Sequence, residues 1–85
     1  MEVRIDSKPT KVMMRFPKHI IHTLLARIDE LKDFPNVKMD IKKLTENEHR
    51  ARFGSYRIIF TVVKEKDIIV VSEINTRGKI SYAKG

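Results

Sequence analysis

The chain contains no cysteine and no tryptophan, and only three glycines and three prolines. Without cysteine there is no disulfide framework and no thiol chemistry. No apolar run approaches the roughly 20 residues needed to cross a bilayer. The N-terminus also lacks the apolar stretch of a secretory signal, so a cytoplasmic protein with no membrane partner is expected. A glycine-rich phosphate loop and a Ser/His/Asp set are both missing. Glu46 and Glu48 fall in a charged stretch with nothing to mark them as an acid/base pair. His19 and His22 stand three apart, but no carboxylate or third histidine supplies the spacing of a zinc site, so neither metal nor cofactor is expected.

What the chain does have is basic charge. Eighteen Lys and Arg against eleven Asp and Glu leave a net +7, a surface that attracts polyanions. At 85 residues, division would leave two pieces each too small to sustain a core, so residues 1–85 are expected to form one domain. Apolar runs such as Ile58-Ile59-Phe60 and Ile68-Ile69-Val70-Val71 suffice for one sheet packed on a layer of helices.

Val3 and Ile5 alternate with Glu2, Arg4 and Asp6, the period of a strand with one buried face. Ser7 then caps a short helix over Lys8 to Arg15, which must end before Pro17 because a residue preceding proline is driven out of the α region. Met13 and Met14 on that helix read as gap-filling core residues. From Pro17, the positions Ile20, Ile21, Leu24, Leu25, Ile28 and Leu31 follow the spacing of one apolar helix face until Phe34-Pro35 stops it. Asn36 to Glu48 reads as a polar crossover loop with some extended character. Three antiparallel strands follow, at His49–Phe53, Tyr56–Val63 and Ile68–Ile74, and Asn75 to Gly85 adds a final strand or loop. The expected fold is α+β: an N-terminal strand and two helices packed on a twisted antiparallel sheet.

Gly54-Ser55 is a favoured two-residue hairpin loop, so Phe53 should face Tyr56, Arg52 should face Arg57 and Arg50 should face Ile59. Alternation then gathers Ala51, Phe53, Tyr56, Ile58, Phe60 and Val62 on a core face and Arg50, Arg52 and Arg57 on the other. Like charges directly opposite one another cost a few tenths to about 1 kcal/mol. Something anionic is therefore expected there, either a phosphodiester gripped by guanidinium forks or a relieving carboxylate such as Glu73. The same alternation puts His49 on the core side.

The stretch His49-Arg50-Ala51-Arg52-Phe53-Gly54-Ser55-Tyr56-Arg57-Ile58-Ile59-Phe60, followed by an apolar strand and Asn75-Thr76-Arg77, resembles the signature of RelE-type toxins in the RelE/ParE superfamily. The order of elements is similar over essentially the whole chain. The resemblance implies a metal-independent endoribonuclease that cleaves mRNA in the ribosomal A site, by attack of a ribose 2′-hydroxyl on the adjacent phosphate. It further implies an acidic antitoxin of the RelB kind, which suits a +7 toxin. Carried over residue by residue, Arg50 and Arg52 are the basic pair before Gly-x-Tyr-Arg, and Arg57 holds the scissile phosphate. Arg77 stabilises the transition state, and Tyr82 stacks on a base or assists proton transfer.

Some members place lysine where Arg52 stands, and arginine stays protonated and makes a poor general base. The Arg77 to Tyr82 spacing is also about a residue off the commonest family pattern. The base is therefore open among Tyr82, Lys79 and His49. Lys38, Lys42, Lys43 and Lys79 are candidates to track an rRNA backbone. Two alternatives stand beside the nuclease: a ParE-like toxin acting on gyrase, and an inactive module that binds RNA or antitoxin.

Overall fold

A computed structural model describes residues 1–76. Its elements run β1 (Glu2–Ile5), α1 (Ser7–Met13), α2 (Lys18–Glu30), β2 (Asp40–Lys43), β3 (Glu48–Phe53), β4 (Tyr56–Val63) and β5 (Ile68–Thr76). A 3₁₀ turn over Leu31–Asp33 ends α2, and another over Lys64–Lys66 joins β4 to β5.

The helix starts follow from proline chemistry. Asp6, rather than Ser7, is the extended residue before α1, and its carbonyl accepts both the Thr10 backbone N–H and the Thr10 hydroxyl. Pro9 falls in the first turn, where its missing N–H leaves no bond unmade. Pro17 stands just outside α2 and its carbonyl accepts from Ile20 and Ile21. Leu24, Ile28 and Leu31 form the buried stripe, whereas Leu25, expected on it, is 44% exposed. The two methionines of the first helical segment divide likewise: Met13 is core and Met14 is exposed.

The five strands form one sheet in the order β1-β5-β4-β3-β2. β3, β4 and β5 are antiparallel, as expected, and β2 adds to β3 antiparallel, but β1 pairs with β5 in parallel, so the sheet is mixed. The reason is positional. The meander of β2 to β5 leaves only its two outer edges free, and β1 closes the β5 edge with Val3 and Ile5 turned to the core. β2 arises within the stretch expected to be a loop. Its period-two signal was present, Val37, Met39 and Ile41 alternating with Lys38, Asp40 and Lys42.

The helices cover one face. Leu24, Ile28, Leu31, Met13 and Phe16 pack on Ala51, Tyr56, Ile58, Phe60, Val62, Ile69, Val71 and Ile74. Gly54 opens the β3–β4 loop with φ +55°, a conformation that costs an L side chain about 1–2 kcal/mol. That loop sets the register Phe53↔Tyr56, Arg52↔Arg57, Arg50↔Ile59. One irregularity matters for the other face: opposite Ile59 and Phe60, β5 carries an extra residue, Ser72, whose hydroxyl donates to the Ile59 carbonyl. This bulge shifts the alternation of β5, so that Val71 and Ile74 both face the core and Glu73 and Asn75 fall on the opposite side.

Candidate active site

The register draws straight lines of side chains across the uncovered face. One runs Asp40, Arg52, Arg57, Asn75, from β2 to β5. The next runs Lys42, Arg50, Ile59, Glu73. Directly opposed residues of an antiparallel pair have Cβ atoms about 4.5–5.5 Å apart, close enough for long side chains to share a ligand. Arg50, Arg52 and Arg57 are thereby brought together, as the sequence predicted.

Their environments differ. The Arg50 side chain is 17% exposed, and its Nε is buried without a hydrogen-bond acceptor among the described residues. An unpaired buried donor of this kind costs about 1–3 kcal/mol, which folding alone does not offset. Arg52 is 36% exposed. Arg57 is exposed and, among the described residues, has no carboxylate within ion-pair distance.

The relieving carboxylate belongs to Asp40, not to Glu73. Asp40 Oδ2 lies 3.7 Å from Arg52 Nη2 and 3.9 Å from Arg50 Nη2. Glu73 stands opposite Ile59 and accepts a 2.6 Å hydrogen bond from Asn75 Nδ2. Reading residues 36–48 as a loop concealed Asp40, and the bulge at Ser72 concealed Asn75. The alternation over Val37 to Lys42 would have found the first.

His49 sits on the core side, as expected. Its ring stacks on Phe60 at 5.4 Å, meets the Phe34 ring edge-on at 5.0 Å, and has Nδ1 buried without a partner among the described residues. It faces away from the arginines. Lys42 shares their face, Lys43 turns to the opposite side near Glu46, and Lys38 is exposed between α2 and β2. Arg77, Lys79 and Tyr82 lie outside the described residues. Among the described residues no three His, Cys, Asp or Glu side chains group as a metal site, and no helix is long and apolar enough to cross a membrane.

A strand, a helical pair and four further strands thus build one five-stranded sheet, and among the described residues its face opposite the helices carries the arginines. The chain belongs to the ParE toxin family of type II toxin–antitoxin systems (parDE), whose sequence model matches residues 13–80. No individually curated protein matches it. Among solved structures, it resembles a chain of the archaeal RelE–RelB complex from Pyrococcus horikoshii. That match has TM-score 0.78 and 29% identity, and covers 93% of this chain and 97% of that one. The RelB–RelE antitoxin–toxin complex from Methanococcus jannaschii matches with TM-score 0.70 and 27% identity over 86% of this chain and 88% of that one. The isolated E. coli RelE toxin shares the fold alone, with TM-score 0.75 and 13% identity over 94% and 87% of the two chains.

Proposed function

We propose that this type II toxin acts as a ribosome-dependent endoribonuclease that cuts mRNA and so halts translation in the cytoplasm. The observation that carries the reading is the pairing of Arg52 directly against Arg57, with Arg50 beside them, on a sheet face that no helix covers among the described residues. Three fixed guanidinium forks fit phosphate oxygens and the extra charge that builds on them during attack. In this reading Arg57 holds the scissile phosphate, Arg50 and Arg52 complete its cradle, and Arg77 stabilises the transition state. Tyr82 stacks on a base. Lys42 on the arginine face contacts rRNA, as do the exposed Lys38, Lys43 on the other side of β2, and Lys79. The archaeal relatives are complexes with RelB, and a +7 surface suits an acidic antitoxin of that kind.

Primer extension on a translated mRNA, with and without ribosomes, tests this. Cuts that need ribosomes support the reading, and their absence with folded, antitoxin-free protein overturns it. The match to the ParE family model favours one rival, a gyrase-directed toxin that cuts no RNA. Inhibition of DNA supercoiling by the purified chain would establish that instead.

A further inference from the structure

The nuclease reading leaves one chemical role empty, because a guanidinium cannot take the proton of the attacking hydroxyl. We infer that Asp40 is that proton acceptor. The inference rests on the nuclease reading and deepens it by naming the group that starts the reaction.

The acceptor must lie within the arginine cluster, because the ribose 2′-oxygen and the phosphorus it attacks are neighbours on one nucleotide. His49 is excluded by its place on the core side, stacked on Phe60. The remaining carboxylates of the bare face are engaged or distant. Glu2 pairs with Arg4 at 3.4 Å on the far edge strand, and Glu73 is held by Asn75. Glu48 stands opposite Thr61, beyond the Arg50 line. Asp40 differs from them in three ways. It heads the line through Arg52 and Arg57, its side chain is 61% exposed, and both guanidiniums near it stand at 3.7–3.9 Å, outside hydrogen-bond range. Among the described residues no donor hydrogen-bonds its carboxylate, so its lone pairs are open to a substrate hydroxyl.

The step balances without a metal or co-reactant. The 2′-hydroxyl proton passes to an Asp40 oxygen, and the 2′-oxygen bonds to phosphorus. The bond from phosphorus to the 5′-oxygen breaks in line, the leaving oxygen takes a proton from water, and the hydroxide so formed takes the proton from Asp40. The products are a 2′,3′-cyclic phosphate and a 5′-hydroxyl. Arg52 and Arg57 neutralise the charge that gathers on the non-bridging oxygens.

Single-turnover cleavage of ribosome-bound mRNA by the full chain and its Asp40→Asn, Asp40→Glu and Tyr82→Phe variants tests the assignment, together with binding of a short RNA. Asp40→Asn should slow cleavage by at least about a hundredfold, the scale of a general base. It should leave RNA binding unchanged or tighter, since a negative charge beside the phosphate site is gone. Asp40→Glu should recover part of the rate. Asp40→Asn should lose more rate than Tyr82→Phe. Cleavage by Asp40→Asn at the parental rate or faster overturns the inference. An equal loss of rate and binding also overturns it, because Asp40 would then only hold the arginines in place. A larger loss of rate in Tyr82→Phe than in Asp40→Asn does the same. A parent that cuts nothing overturns the nuclease reading and this inference together, whereas a parent that cuts as Asp40→Asn does overturns this inference alone.

Discussion

The two faces of the β3–β4 hairpin are made by the same fourteen-residue stretch of backbone, 48 to 63 less the loop, and obey opposite rules. On one, Ala51, Ile58 and Phe60 are fully buried against helices. On the other, Arg50, Arg52 and Arg57 stand where a fold in need only of stability would place Thr or Val. The core face is apolar, matched and covered. The arginine face opposes like charges, buries an unpaired Nε and is covered by nothing among the described residues. Alternation lets one hairpin hold both, so substitutions on the two faces should separate stability from function.

The largest effect should come from the core. Phe60→Ala removes a fully buried ring that touches Phe34 and His49, and should cost about 3–5 kcal/mol, read as a fall in the urea midpoint. For a domain with about 5–15 kcal/mol in hand this approaches unfolding. Arg57→Ala should instead slow cleavage at least about a hundredfold, near 2.7 kcal/mol, while moving stability by less than about 0.5 kcal/mol. Arg77→Ala should slow cleavage similarly. If three arginines neutralise phosphates, binding of a single-stranded RNA should weaken roughly 20-fold between 50 and 200 mM salt, a log–log slope of about −2. A flat titration would break the comparison by making the face a protein contact. Gly54→Ala meets no neighbouring atom, so its cost in thermal unfolding should be the conformational one alone, about 1–2 kcal/mol. Smallest is Arg27→Ala: the guanidinium lies 5.7 Å over the Phe53 ring, worth about 0.5–1 kcal/mol by the same measurement.

Much of this was legible from local chemistry. β4 was read with its observed ends, and the two-residue loop at Gly54-Ser55 was enough to oppose Arg52 to Arg57. Both are short-range features, decided by turn geometry and period-two alternation. What escaped depends on distant chain. The parallel docking of β1 on β5 joins residues more than sixty positions apart, and nothing in Val3 or Ile5 specifies the direction of a partner. The bulge at Ser72 leaves no apolar or glycine marker, so Asn75 could not be placed on the arginine line. Asp40 was hidden for a different reason: its strand is only four residues long and rich in lysine, as edge strands are, and resembles a loop in composition. The arginines were therefore plain in the sequence, while the carboxylate beside them was marked only by an alternation that the lysine-rich composition masked.

The central claim is that the arginine face serves phosphate chemistry and not the fold. The most direct test pairs two readings on one protein, primer-extension cleavage of ribosome-bound mRNA and urea unfolding, for Arg57→Ala against the parent. Cleavage reduced at least about a hundredfold with stability unchanged or slightly raised is the predicted result. Undiminished cleavage, or a loss of cleavage matched by a loss of stability well above 1 kcal/mol, would contradict the account.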